Sequence, residues 1–186
     1  MDATAPSSSL AIPTSAAQAA SARPNDFRGP WSDDPRGTDG STYVVTIDPK
    51  RPNTLHFGAH RLEIPAGAVC ADGSDYGLAY FDQSCKREKD FVTITAVVRS
   101  SAAGIPRIDL LPQLRFSPDR VVTLTLSVPD ISLVVPTSSI LYCPTLSAQG
   151  CVDEAQFDSS LVTHVDERTS TVFRRIRHFS GYFISE

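Results

Sequence analysis

Phe91-Val92-Thr93-Ile94-Thr95-Ala96-Val97-Val98 is an unbroken run of β-branched, aromatic and small side chains with no proline or glycine. Such a run predicts a strand, and its neighbours predict more of the same. Upstream, Tyr43-Val44-Val45-Thr46-Ile47 is β-branched and aromatic, and Asp48-Pro49 ends it. Leu55 and Phe57, then Leu62 and Ile64, alternate on either side of Gly58, as a strand pair or one bent strand that Pro65 stops. Downstream, Leu110 to Phe116 reads as an edge or bulged strand interrupted by Pro112. Val121 to Val128 alternates Val/Leu with Thr/Ser, which puts one face in a core and the other in water. Ser139 to Tyr142 is a short strand. Leu161 to Val165 and Thr171 to Ile176 flank a hairpin loop over 166–170, and Tyr182-Phe183-Ile184 closes the chain. Eight or nine short, mostly antiparallel strands with frequent turns and no helical period predict an all-β protein, a β-sandwich.

The sandwich is expected over residues 43–186, preceded by a flexible tether and linker over 1–42. Of the first 24 residues, 18 are Ala, Ser, Thr or Pro, too little apolar surface to offset the entropy of ordering. This opening lacks the form of a signal peptide, since Asp2 stands where a basic start belongs and no continuous apolar core follows. It resembles the mature segment of a bacterial lipoprotein with Met1 in place of the lipidated cysteine, so a lipid anchor encoded upstream is expected. Phe27 and Trp31 are candidates for clipping the tether to the domain or to a partner. Asp33, Asp34 and Asp39 with Gly37 and Gly40 loosely resemble a calcium loop but lack the EF-hand order and its closing Glu.

The chain has 186 residues, a length suited to one domain, and a formal net charge of -4. That leaves no basic surplus for phosphates, and nucleic acid is not expected as a partner. No apolar run is long enough for a transmembrane segment. The four cysteines form two local pairs, Cys70 with Cys85 and Cys143 with Cys151, each bracketing a loop-like stretch. Two disulfides in an exported, oxidising setting, the periplasm or cell surface, is the simpler reading; four buried thiols is the alternative.

Other side chains offer chemistry only weakly. His56 and His60 have a spacing that suits metal on a helix, but Gly58 and the alternation make this extended chain, so no metal or other cofactor is expected. His164 has no partner nearby in sequence. Arg174, Arg175 and Arg177 alternate with Phe173, Ile176 and Phe179, as the solvated face of a strand open to an acidic partner or anionic lipid headgroups.

Three pieces in order carry a resemblance. They are Gly58-Ala59-His60-Arg61-Leu62-Glu63-Ile64-Pro65-Ala66-Gly67-Ala68-Val69, then Leu114-Arg115-Phe116-Ser117-Pro118-Asp119 with Val121-Val122-Thr123-Leu124-Thr125-Leu126, and last Ile176-Arg177-His178-Phe179-Ser180-Gly181-Tyr182-Phe183-Ile184. Over about Thr54 to Ile184 the chain resembles ZU-five-like domains, the module of zonula occludens proteins and netrin receptors that also occurs in bacterial exported proteins. It departs by Arg120-Val121 where the family carries a proline and by the cysteine-bracketed loops.

The resemblance implies a β-sandwich and a role in protein–protein docking, as an accessory or structural subunit of a cell-envelope or membrane complex rather than an enzyme. It also raises an alternative, because some relatives cut themselves between Phe and Ser of a His-Phe-Ser tripeptide. Here Ser180 would attack the Phe179 carbonyl with His178 as general base. A third reading is a carbohydrate-binding sandwich, with Trp31 and the aromatics of Tyr76 to Phe81 as its platform. The closing segment carries one further expectation. Phe179 and Tyr182 are three apart and cannot share a face of a regular strand, so a bend at Ser180-Gly181 is required if both are core.

Overall fold

A computed structural model describes residues 40–72, 74–77, 79–101, 103–144 and 150–185. The tether, Phe27, Trp31 and the aspartates of the calcium-like stretch lie outside the described residues. The rest is all-β, with ten strands and three single-turn 3-10 helices among the described residues.

In chain order the strands are β1 Ser41–Ile47, β2 Asn53–Phe57, β3 His60–Ile64, β4 Val92–Ser100, β5 Pro106–Leu111, β6 Val122–Ser127, β7 Ile140–Cys143, β8 His164–Asp166, β9 Thr171–Ile176 and β10 Gly181–Ile184. They form two five-stranded sheets, ordered β1-β4-β5-β10-β7 and β2-β3-β6-β9-β8. Every pairing is antiparallel. Alternation sets the core. Leu55, Phe57, Leu62, Ile64, Val122, Leu124 and Leu126 point inward from one sheet and meet Ile94, Ala96, Ile108, Leu110, Tyr182 and Ile184 from the other.

Local chemistry fixes the corners. β2 and β3 form a strand pair, resolving the choice left by the sequence, and Phe57 faces His60 across a turn in which Gly58 has a φ of 65°. That left-handed backbone favours glycine. Gly67 also has a positive φ, 67°, with open space around its Cβ position, so the requirement there is backbone conformation and not crowding.

Three strand assignments need correction. The segment after Leu110 is not an edge strand: β5 ends at Leu111, just before Pro112, and lies in the middle of its sheet. Its other proline, Pro106, is the first residue of the strand, where a missing N–H is tolerated. Leu161 belongs to a 3-10 helix, Ser159–Leu161, and β8 starts only at His164. Asp158 draws the chain into that helical turn by accepting a bond from the Ser160 amide. The strand count is ten, with β2 and β3 as separate strands.

Candidate functional site

The chain leaves β9 at Ile176 in one sheet and enters β10 at Gly181 in the other. Residues 177–180 cross the seam between the sheets. The crossing is hydrogen bonded throughout: Phe116 N donates to Arg177 O at 2.8 Å, Phe179 N to Leu114 O at 2.8 Å and Leu110 N to Ser180 O at 3.0 Å. The expected bend is therefore present. Phe179, in the crossing itself, and Tyr182, in β10 beyond the bend, both reach the core. Gly181 is required at the entry, since a Cβ there would lie 2.7 Å from Asp109 Oδ1 and 3.2 Å from the Cys143 carbonyl oxygen.

His178 sits at the middle of this crossing with no solvent exposure. Its ring stacks on Phe81, with centroids 4.2 Å apart, and meets Tyr142 edge-on at 4.5 Å. Nε2 lies 2.8 Å from Glu154 Oε1, and Nδ1 lies 2.9 Å from the Tyr76 hydroxyl. The second oxygen of Glu154 accepts from Arg174 Nη2 at 3.0 Å. Arg174 also donates to the carbonyls of Ile140, at 2.5 Å, and Arg175, at 3.1 Å. Tyr182 Oη donates to the His178 carbonyl at 2.7 Å. The phenols stay neutral donors: burial first, then neighbouring charge and phenol groups, pushes the Tyr76 and Tyr182 hydroxyls far above their ordinary range, and burial with Glu154 raises Tyr142.

Arg174 corrects the reading of a solvated basic face. It is opposite Leu124 on the inward side of β9 and is 0% exposed. Alternation puts it inside, and Glu154 makes that tolerable. Two loops bring the partners in. The Cys143–Cys151 disulfide, Cα atoms 4.2 Å apart, and the two-way backbone pair of Tyr142 with Val152 hold the chain beside β7. Asp153 then caps the 3-10 helix Glu154–Gln156 through the Ala155 amide, turning Glu154 inward. The Cys70–Cys85 disulfide, Cα atoms 5.6 Å apart, closes the loop that lays Tyr76 and Phe81 over His178. Buried Arg115 pins this loop by donating to the carbonyls of Tyr80 and Gln83.

Ser180 and His178 are neighbours in sequence that the fold sends different ways. Ser180 Oγ donates to the Cys143 carbonyl at 3.0 Å, while both nitrogens of His178 are held by Glu154 and Tyr76. A nucleophile needs its base within hydrogen-bond reach, and among the described residues no bond joins this pair. One contact does suit acyl chemistry: Tyr76 Oη donates to the Phe179 carbonyl oxygen at 2.7 Å.

The remaining candidates disperse. Arg175 is exposed, whereas Arg177 is half-buried and binds the Pro118 carbonyl at 2.9 Å and Asp158 at 3.2 Å. His56 and His60 point to opposite faces, His56 outward and His60 into the core, where Nδ1 accepts from the Ser127 amide at 3.1 Å. His164 stacks on Phe173 at 5.1 Å. No cluster of three or more metal-ligating side chains occurs among the described residues. Tyr76 and Phe81 turn toward His178, which removes them from an open sugar platform.

Sequence reasoning missed Glu154, Tyr142 and the hydroxyl role of Tyr76. No local pattern marks them, because each meets His178 only through tertiary folding. No helix among the described residues is long and apolar enough to cross a membrane. No family description, curated protein or solved structure matches this chain.

Proposed function

We propose that the protein is a non-catalytic docking module, an exported β-sandwich of ZU-five-like type that serves as an accessory or structural subunit of a cell-envelope or membrane complex. One observation carries the reading: the chemically capable side chains at the seam are bonded to one another, while among the described residues an uncharged strand edge is left open. That edge is β1, with Val44 65% exposed on its outer face and Phe91 74% exposed just before the adjoining β4. Large apolar groups kept in water beside an unpaired edge are what strand-adding partners use. Two disulfides suit an oxidising compartment, and a lipid anchor upstream would hold the module at a membrane.

Chemical cross-linking in native extract tests the reading. Lys50 follows β1, and Lys89 precedes Phe91. Both should cross-link to a partner protein, and Val44→Lys should abolish those links. Links that survive Val44→Lys would overturn the assignment of this face. The competing self-cleavage reading keeps one supporting contact, from Tyr76 to the Phe179 carbonyl, and the mass of the intact chain decides it.

A further inference from the structure

The two sheets end in four edge strands, and they are not alike. β8 has three residues. β7 has four, and its open side is taken up by the Tyr142–Val152 backbone pair and by Thr163 Oγ1, which accepts from the Ile140 amide at 2.9 Å. β2 has five, bracketed by Pro52 and the tight turn at Gly58. β1 has seven, reading Ser-Thr-Tyr-Val-Val-Thr-Ile, with no charge, proline or glycine. Its register with β4 runs without a bulge from Ser41↔Val98 to Ile47↔Val92. Short strands, covers, prolines and charges are the devices that keep sheet edges from pairing, and among the described residues β1 has none of them.

We infer that β1 pairs with β1 of a second copy, antiparallel about a twofold axis at Val44, joining two five-stranded sheets into one of ten. The inference rests on the docking reading and names its partner. The sequence of the strand supplies the argument. Pairing side chains must lie on the same face, so the axis has to pass through a residue and not between two. Centred on Val44, all seven residues overlap. Val44 meets Val44, Thr42 meets Thr46, Tyr43 meets Val45 and Ser41 meets Ile47. Every pair is uncharged, so no like charges oppose each other, and Thr–Thr and Val–Val are favourable cross-strand pairs. Tyr43 and Val45 are only partly buried on the core side, and the added strand would complete their cover. An isologous contact of this kind closes on itself and yields a dimer, not a filament.

Seven residues of edge pairing form a small interface, so the dimer should be weak and concentration-dependent. Sedimentation of the full chain from about 10 μM to about 0.5 mM should show monomer passing to dimer. Val44→Lys places two ammonium groups against each other and should weaken association at least tenfold, with an unchanged circular dichroism spectrum. Mixing Val44→Lys with Val44→Glu should restore a heterodimer that neither forms alone. Under mild oxidation Val44→Cys should cross-link to its mate, because directly opposed Cβ atoms come within disulfide reach. Thr42→Cys, which faces Thr46, should not. A wild-type chain that stays monomeric to about 0.5 mM overturns the self-pairing. So does a dimer indifferent to Val44→Lys. If the native cross-links to another protein persist while the pure chain stays monomeric, self-pairing alone falls; if dimers form but no such cross-links do, the envelope-complex reading falls instead.

Discussion

The seam at His178 and the edge at β1 carry opposite chemistry in opposite settings. At the seam, Arg174, Glu154, His178 and Tyr182 are buried, Tyr76 and Tyr142 are half-buried over them, and they find partners in one another. At β1, Thr42, Val44 and Thr46 lie in water, with one backbone side open among the described residues. Residue type alone would have ranked them the other way, with the charged cluster on the surface. What decides the matter is whether each group's bonds are already satisfied. The polar groups of the seam bond to one another, and among the described residues no strand lies on the outer side of β1.

Breaking the seam should show the largest effects. Glu154→Ala leaves buried Arg174 with only the more distant Asp153 carboxylate, 3.7 Å away, and frees His178 Nε2; loss of one partner of a buried pair costs about 3–5 kcal/mol. Urea denaturation would measure it. Glu154→Gln, which keeps the shape and one acceptor, should cost less. Phe179→Ala removes a ring that packs edge-on against Phe116 at 5.0 Å and should cost about 3–5 kcal/mol in the same measurement. Ser180→Ala loses the bond to the Cys143 carbonyl and should cost about 1 kcal/mol.

A smaller effect tracks pH. Burial lowers the folded value of His60, whose Nδ1 accepts from the Ser127 amide. Protonation therefore favours the unfolded chain. This contribution is fully present above the ordinary histidine value of 6.5 and is lost as pH falls below it toward the depressed folded value. Stability measured from about pH 7.5 down to about pH 5 should fall less steeply in His60→Gln than in wild type. Smallest for folding is the edge itself: Val44→Lys should shift stability by no more than about 0.5 kcal/mol while removing self-association. A large loss of stability in that variant would mean that β1 is not the open surface described.

The fold was largely legible in the sequence because alternation is local. Val121 to Val128 announces β6 through its own period, and Pro65 and Gly58 mark where strands stop and turn. Both disulfides were legible for the same reason, since each bridges the ends of one loop. The seam was not legible. Arg174 lies among Arg175 and Arg177 and looks like surface charge; only the register with Leu124 turns it inward, and only the loop after Cys151 supplies Glu154. Leu110 to Phe116 misled because prolines usually mark edges. Here they stand at the two ends of a central strand and remove no ladder bond from its middle.

The proposal most open to test is that the His178–Phe179–Ser180 crossing holds the sheets together without cutting itself. The mass of the intact wild-type chain, followed over days in neutral buffer and set beside that of Ser180→Ala, tests it most directly. The account predicts a single full-length species for both. A wild-type fragment ending at Phe179, absent from Ser180→Ala, would contradict it.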